Sequence, residues 1–196
     1  MLYLQENKVK RQNMFIEEYK ISKKICAGAI DFFNQNKKYQ KQGLVGDGRV
    51  DKKLKDSTDL LCFDVEDNPR ITDYFSELDK CISKYKQKYI YCDKEQCKWS
   101  IRESPIVQRY KPGGGYKTWH YERNGHPLHV RRHLVFMTYL NTIRDGGGTE
   151  FFYQKKKFKA SQGSTLIWPA DWTFAHKGIV SKKYEKYIIT GWVSYI

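Results

Sequence analysis

Residues 186–195 read KYIITGWVSY, a run of β-branched and aromatic side chains that predicts a β-strand. Six more short runs of this kind precede it, with Gly, Pro and Asn between them. Several short strands separated by such turn residues are typical of an all-β sandwich or barrel. The second half of the chain is therefore predicted to be a β-rich body. The six upstream runs cover residues 105–110, 116–121, 133–140, 149–153, 164–168 and 172–176.

The first half of the chain has a different pattern. Residues 14–33 carry apolar side chains mostly three or four positions apart, which predicts a first helix. Residues 34–66 contain several glycines and charges and show little periodicity. We therefore expect a long loop there, with one short strand at 60–64.

A second helix is the clearest element of the first half. Asn68-Pro69 has the residue types of a helix N-cap and first helical position, and helical apolar spacing continues to about Tyr91. We expect both helices to support one face of the β-rich body. The predicted fold is thus α+β and mainly β, with residues 1–98 as a helical support and substrate-loop region of the same domain as the core, residues 99–196.

The composition limits the class of protein. The chain has 36 Lys and Arg against 22 Asp and Glu, a formal charge of +14. Such a surplus favours a polyanionic partner (nucleic acid, a membrane surface or an acidic protein), or it is only a solvated lysine-rich surface. Aromatic residues make up 15% of the chain, enough for a packed core, so disorder throughout is excluded. No apolar run reaches the roughly 18–20 residues of a membrane span, and residues 1–20 show no signal peptide, so we expect a cytoplasmic protein.

The cysteines give no motif. They are odd in number and irregularly spaced, and no C-x-x-C occurs, so neither a zinc ribbon nor a redox pair is predicted. Without a secretory signal we expect reduced thiols that are mostly buried. The five are Cys26, Cys62, Cys81, Cys92 and Cys97.

A histidine and a carboxylate lie two residues apart in Trp119-His120-Tyr121-Glu122. On a strand, side chains at this spacing point to the same face. A second histidine from a neighbouring strand would complete a set of two histidines and one carboxylate, which leaves coordination positions open and favours non-haem Fe(II). His176 stands alone at the end of a strand-like run and is the candidate. By itself the pair is weak, because a surface histidine beside a surface glutamate is common.

A second group of histidines is an alternative metal site. His126, His129 and His133 are spaced by three and four residues, and two of them could share a helix face. Gly125 and Pro127 argue against a helix in this segment. The alternative therefore has less support than the group with Glu122.

Short motifs surround the candidate ligands in a definite order. An Arg-Tyr pair with a glycine three positions after the tyrosine lies upstream of His120. A Tyr-Leu-Asn run, a glycine-rich turn and a strand led by glycine lie between Glu122 and His176. The last motif is a basic residue ten positions after His176. The motifs are Arg109-Tyr110-Lys111-Pro112-Gly113, His120-Tyr121-Glu122, Tyr139-Leu140-Asn141, Gly147-Gly148-Thr149-Glu150-Phe151, Gly163-Ser164-Thr165-Leu166-Ile167-Trp168-Pro169, His176-Lys177-Gly178 and Lys186.

This succession resembles the prolyl 4-hydroxylase branch of the Fe(II)/2-oxoglutarate dioxygenases. The resemblance covers about residues 105–196, and a weaker one covers residues 55–59. It implies a double-stranded β-helix, a cupin-like jelly roll, with the N-terminal helices packed against the major sheet. It also implies that His120, Glu122 and His176 hold Fe(II).

The resemblance assigns further residues to the cosubstrate. Lys186 would bind the far carboxylate of 2-oxoglutarate, which needs a cation in a dry pocket. Tyr139 and Tyr110 would donate hydroxyl hydrogen bonds near it, and Trp192 would wall the pocket. The family pattern is H-x-D, so Glu122 is a departure: it is one methylene longer, yet still offers a carboxylate oxygen.

The implied reaction hydroxylates an amino-acid side chain, with proline in a peptide or protein as the favoured substrate. It needs Fe(II), 2-oxoglutarate and O2, gives succinate and CO2, and by resemblance uses ascorbate to reduce stray Fe(III). We expect residues 34–66 and 122–131 to select the substrate. The basic surplus leaves an acidic or phosphate-bearing partner open.

Three alternatives remain at this point. An oxygenase of the same fold could act on nucleic acid, but that branch typically ends with two arginines six residues apart, and here Lys186 and Trp192 have that spacing. The substrate could also be a free amino acid. A non-catalytic β-barrel binding module is the third alternative, although it would have no use for a retained His176 and a buried Lys186.

Overall fold

The second half of the chain folds into antiparallel sheets, as the strand pattern predicts. A computed structural model describes residues 14–46, 48–65, 68–94 and 98–196. Its fold is a double-stranded β-helix, or jelly roll, with two α-helices against one sheet, so the predicted α+β, mainly β class is confirmed. The helices are α1 (Lys23–Gln35) and α2 (Pro69–Lys88), and the strands are β1 (Glu17–Lys20), β2 (Lys41–Gln42), β3 (Lys55–Asp56), β4 (Thr58–Leu61), β5 (Trp99–Ser100), β6 (Ile106–Tyr110), β7 (Gly115–Tyr116), β8 (Arg132–Tyr139), β9 (Thr149–Phe151), β10 (Lys156–Phe158), β11 (Ser164–Pro169), β12 (His176–Gly178) and β13 (Lys186–Tyr195).

Local capping explains where both helices begin. The hydroxyl of Ser22 accepts a hydrogen bond from the N–H of Ile25 at the start of α1. The side chain of Asn68 accepts from the N–H of Arg70 at the start of α2, and Pro69 occupies the first helical position. These groups satisfy backbone donors that a helix start leaves free. The predicted start of the second helix is confirmed.

The larger sheet has the strand order β1-β11-β8-β13-β6-β4-β2, and β5 also pairs with β13. Side chains of β8 alternate between two cores. Leu134 and Phe136 pack toward the helices, whereas Val135 and Met137 point into the barrel.

The same alternation along β13 determines which of its side chains point into the barrel. Tyr187 and Ile189 pack against the helix side of the sheet. Lys186, Ile188 and Trp192 line the cavity on the opposite side. One strand therefore places an amine and an indole on the inner wall.

The smaller sheet, in the order β10-β9-β12, closes the other side of the barrel, and β3 and β7 form a separate pair. Glycines allow the turn that leads into it. Gly147 has a φ of +70°, which other residues rarely adopt, and a Cβ on Gly148 would lie 2.1 Å from the carbonyl oxygen of Phe158.

Three predictions for the first half are wrong in detail. The first helix begins at Lys23 rather than at 14, because residues 17–20 form β1 and pair with β11. This pairing joins segments far apart in sequence, which local spacing cannot reveal. The loop expected at 34–66 contains three short strands, β2, β3 and β4, rather than one, and the strand expected at 60–64 is β4 at 58–61. The second helix ends at Lys88 rather than near Tyr91.

Two predictions for the second half are also wrong in detail. In the run 116–121 only Tyr116 belongs to a strand, because the segment then meets β12 at a single residue pair. The run 172–176 is a 3₁₀ turn over Trp172–Phe174, and His176 begins a strand rather than ending one.

Neither helix in the described ranges combines the length and the apolar composition needed to cross a bilayer. Four cysteines in these ranges are free thiols, and three of them are buried. The fifth, Cys97, lies outside the described residues.

A buried ion pair braces the wall formed by β3, β4 and β6. The Lys55 Nζ lies 2.7 Å from Asp59 Oδ2, and both side chains are almost fully buried. Asp59 also accepts hydrogen bonds from Ser57 and Gln108. We expect Asp59→Ala to lower the free energy of unfolding by about 3–5 kcal/mol, because it leaves the Lys55 charge buried and unpaired. Urea unfolding followed by circular dichroism measures this change.

The matched control is an exposed ion pair. Glu77 and Lys80 approach to 2.6 Å on the surface of α2. We expect Glu77→Ala to leave the urea midpoint unchanged, because surface pairs contribute little. Equal effects of the two substitutions would contradict the bracing role of Asp59.

Candidate functional site

A cavity of about 400 Å³ lies inside the barrel. Six of the seven residues that the sequence singles out line it, and Tyr139 lies directly behind its wall. The six lining residues are Tyr110, His120, Glu122, His176, Lys186 and Trp192.

Backbone hydrogen bonds bring the two candidate histidine ligands side by side. The N–H of His120 donates to the carbonyl oxygen of His176 over 3.0 Å, and the N–H of His176 donates back over 2.9 Å. Two residues later the N–H of Glu122 donates to the carbonyl oxygen of Ala170. The three side chains therefore converge although His120 and Glu122 do not lie on a regular strand.

The three side chains could hold one metal ion. Glu122 Oε1 lies 3.6 Å from His120 Nε2 and 3.5 Å from His176 Nε2. One potential ligand atom of each residue lies within 4.8 Å of the other two, and no other such group of three occurs in the described parts of the chain. Two imidazoles and a carboxylate with an open side fit Fe(II).

Hydrogen bonds from the far side of each imidazole fix its tautomer. His120 Nδ1 donates to the carbonyl oxygen of Thr118 over 3.0 Å, and His176 Nδ1 donates to that of Phe174 over 2.9 Å. A carbonyl oxygen can only accept, so both Nδ1 atoms carry the proton. The Nε2 lone pairs are left facing Glu122, which is the arrangement that a metal requires.

The electrostatics keep the ligands in their metal-binding forms. Burial, with His176 next to it, lowers the pKa of His120 to about 3, so the ring is neutral. Burial alone would raise the pKa of Glu122, but His176, His120 and Arg132 lower it well below its ordinary value. Glu122 is therefore a carboxylate at neutral pH.

The outer oxygen of Glu122 has its own partners. Its Oε2 accepts from Trp192 Nε1 over 3.0 Å and lies 3.4 Å from Arg132 Nη1. The sequence predicts Trp192 as a wall and leaves Arg132 unassigned. No pattern in a single sequence reveals that these two side chains meet a carboxylate.

Lys186 is a buried cation without an acidic partner among the described residues. Its side chain is about 5% exposed, and its Nζ lies 4.6 Å from the centre of the Tyr110 ring. Burial lowers the pKa of Lys186 to about 8. A buried amine of this kind favours an anion in the cavity, because a carboxylate would compensate its charge.

The two tyrosines are committed to protein partners. Tyr110 donates its hydroxyl proton to Gln108 Oε1 over 2.6 Å, and Gln108 is oriented by its own donation to Asp59. Tyr139 donates to the hydroxyl of Thr149 over 2.7 Å. Thr149 lines the cavity, and sequence reasoning did not single it out as a site residue. That both tyrosines donate to the cosubstrate stays a prediction, which requires these bonds to rearrange.

The alternative histidine group does not assemble. His126 and His129 lie together at the cavity, with ring centres 4.8 Å apart. His133 instead donates from Nε2 to the carbonyl oxygen of Cys92 and meets the Tyr195 hydroxyl through Nδ1. These three residues therefore do not form a metal site.

Comparison with known families identifies the second half of the chain. Residues 105–194 match the family described as the 2OG-Fe(II) oxygenase superfamily. No curated protein sequence matches the chain significantly.

Solved structures share the fold over almost the whole chain. The viral collagen prolyl hydroxylase of Paramecium Bursaria Chlorella virus-1, in complex with 2OG, is 20% identical with a TM-score of 0.69, and the match covers 94% of this chain and 98% of that one. A Pseudomonas putida prolyl-4-hydroxylase is 13% identical with a TM-score of 0.68, covering 93% of each chain. A Trichoplax adhaerens prolyl hydroxylase, in complex with a hypoxia inducible factor peptide fragment, is 14% identical with a TM-score of 0.70, covering 93% of this chain and 84% of that one.

The family match and the donor set agree on the chemistry. The superfamily requires Fe(II), 2-oxoglutarate and O2, and the cavity offers a group of three side chains suited to Fe(II). The family match over residues 105–194 and the donor set together support a 2-oxoglutarate-dependent dioxygenase, and the chain has the fold of the prolyl hydroxylases.

Proposed function

We propose that this enzyme hydroxylates proline side chains in a peptide or protein, with succinate and CO2 as coproducts. In this proposal His120, Glu122 and His176 hold Fe(II), and Lys186 binds the far carboxylate of 2-oxoglutarate. The observation that carries it is that the three potential ligands line one cavity together with a buried amine that has no acidic partner among the described residues.

Bound Fe(II), with 2-oxoglutarate and O2, supplies the oxidising power to hydroxylate an unactivated C–H bond. The protein residues bind the metal and the cosubstrate, orient them and exclude water from the cavity. The Nδ1 hydrogen bonds hold both imidazoles with Nε2 toward the metal position. Lys186 fixes one end of the cosubstrate, and the apolar side chains of Met137 and Ile188 line the cavity beside it. A dry cavity strengthens the ion pair and limits side reactions.

Two features support a peptide as the substrate. Segments from both regions predicted to select the substrate reach the cavity, and they contribute Leu44 and Leu128, which are largely exposed. The Trichoplax adhaerens neighbour was solved with a peptide fragment. The chain's charge of +14 favours an acidic peptide over a basic one. On resemblance alone, we further propose that ascorbate restores Fe(II) after stray oxidation.

A substrate panel tests the proposal. The purified enzyme with Fe(II), 2-oxoglutarate and ascorbate is incubated with acidic and neutral proline-containing peptides, free amino acids and oligonucleotides, and succinate release is measured. We expect peptide-dependent succinate and a peptide mass increased by one oxygen atom, lost in matched peptides with alanine for proline. Oxidation of oligonucleotides or free amino acids instead would overturn the proline assignment. Omitting ascorbate should shorten the period of turnover.

The low pKa of Lys186 predicts how 2-oxoglutarate affinity depends on pH. The protonated amine binds the carboxylate, and in the protein without cosubstrate the pKa of Lys186 is about 8. The affinity should therefore be constant below that pH and fall above it by up to about tenfold per pH unit. Calorimetric titration of the Mn(II)-loaded protein at several pH values measures it. Lys186→Arg, which stays protonated, should remove the dependence; an unchanged profile in that variant would assign the titration to another group.

A further inference from the structure

We propose that Trp192 and Arg132 are positioning residues for Glu122, and that together they enable a glutamate to serve as the carboxylate ligand in this enzyme. The inference rests on the proposed metal site and not on the identity of the substrate. It concerns the departure from the H-x-D pattern.

The two oxygens of Glu122 have separate surroundings. Oε2 accepts from the indole N–H of Trp192 at 3.0 Å and faces the guanidinium of Arg132 at 3.4 Å. Oε1 faces the Nε2 atoms of His120 and His176. With Oε2 held, one oxygen is presented to the metal position, and the carboxylate is kept from turning.

The guanidinium that faces Oε2 is itself fixed. Arg132 is buried, and its Nε and Nη2 form a forked pair with the carboxylate of Glu103. Its Nη1 donates to the backbone carbonyl oxygen of Glu122 over 3.1 Å, and its guanidinium lies 3.6 Å from the centre of the Trp192 ring. Because the planar Arg132 guanidinium is already held by these contacts, it loses little further conformational freedom when it approaches the Glu122 carboxylate.

The indole is fixed by the larger sheet. Trp192 of β13 pairs with Val135 of β8, and Arg132 begins the same β8 strand. Both positioning residues thus stand on neighbouring, hydrogen-bonded strands. Elements of this kind hold a side chain more accurately than a loop does.

A glutamate needs this support more than an aspartate does. It has one more rotatable bond, and fixing its side chain costs more conformational entropy. Its carboxylate also reaches about 1.5 Å further, the length of one C–C bond. Glu122→Asp would withdraw Oε2 from the indole N–H, stretching a 3.0 Å hydrogen bond beyond its effective range.

The test is a double-mutant cycle on metal affinity. Mn(II) binding to the purified full chain is followed by electron paramagnetic resonance for wild type, Trp192→Phe, Glu122→Asp and the double variant. Trp192→Phe keeps the aromatic wall and removes the N–H. We expect it to weaken Mn(II) binding about 10–100-fold in the wild-type background, the usual effect of removing a partner of a metal ligand. In the Glu122→Asp background it should have little effect, because the bond is already lost.

Two further variants keep the result interpretable. Arg132→Lys retains the charge without the forked geometry and should also weaken Mn(II) binding. Trp99→Phe removes another buried indole N–H, one that has no hydrogen-bond partner among the described residues, and should leave Mn(II) binding unchanged. Metal-free thermal unfolding verifies that each variant folds.

Different results would overturn the positioning role and the metal site. Equal losses from Trp192→Phe with glutamate and with aspartate, or no loss in either, would overturn the positioning role. A wild-type protein that takes up no Mn(II) would overturn the proposed metal site, and the inference with it.

Discussion

Replacing His176 by alanine should abolish the stabilisation that a divalent metal gives this protein. At a Mn(II) concentration of about 100 times the dissociation constant, a single site adds about 2.7 kcal/mol to the free energy of unfolding. For a chain of this size that corresponds to a rise in Tm of roughly 5–11 °C. His176→Ala removes one of the three ligands. Removing a residue that only hydrogen-bonds to a metal ligand lowers metal affinity about 10–100-fold, so removing a ligand itself should lower it further.

The measurement is a thermal-unfolding scan of each variant with and without Mn(II) and 2-oxoglutarate. Comparing each variant with its own metal-free scan separates metal binding from any change in intrinsic stability. His126→Ala is the matched control, because His126 lines the same cavity but does not belong to the group of three candidate ligands. If His126→Ala removed the Mn(II) shift and His176→Ala kept it, the proposed ligand set would be wrong.

Replacing Lys186 by methionine should have opposite effects with and without the cosubstrate. Lys186 is a buried amine without an acidic partner among the described residues, so its removal should raise the free energy of unfolding of the metal-free, cosubstrate-free protein by about 1–4 kcal/mol. The same change should weaken 2-oxoglutarate binding about 10²–10³-fold, because the far carboxylate would be left buried and unpaired.

Calorimetric titration of 2-oxoglutarate into the Mn(II)-loaded variant measures the second effect, and urea unfolding measures the first. Mn(II) affinity should be retained, because Lys186 is in no ion pair with the three candidate ligands. If metal and cosubstrate binding were lost together, Lys186 would have a structural role. If the variant were less stable without ligands, its amine would have an anionic partner in the protein.

Much of the fold could be predicted from the sequence because its signals are local. Asn68-Pro69 specifies a helix start through its own side chain and ring, and it does so in the structure. The β-branched and aromatic run 186–195 predicts a strand, and in the structure it is β13, with one face on each core. Residues 17–20 could not be predicted, because their conformation is set by pairing with β11, far along the chain.

The site could be predicted only in part for the same reason. The order and spacing of motifs singled out His120 and His176, but a spacing of 56 positions says nothing about geometry. The reciprocal backbone hydrogen bonds between them are a product of the tertiary fold. Arg132 escaped assignment because an arginine at a strand start has no distinctive pattern, and its meaning depends on Glu122 and Glu103 on other segments.

The alternation along β13 has a consequence for how this protein can vary. Lys186 and Trp192 project from the same face because an even number of positions separates them on a strand without interruption. Inserting or deleting one residue between them would turn one of the two away from the barrel. β13 thus fixes the distance between Lys186, at the proposed cosubstrate end of the cavity, and Trp192, at the Glu122 end. Loops around the mouth of the cavity can change length. The spacing between positions 186 and 192 is set by the strand backbone, so this part of the cavity can vary only by substitution of the two side chains.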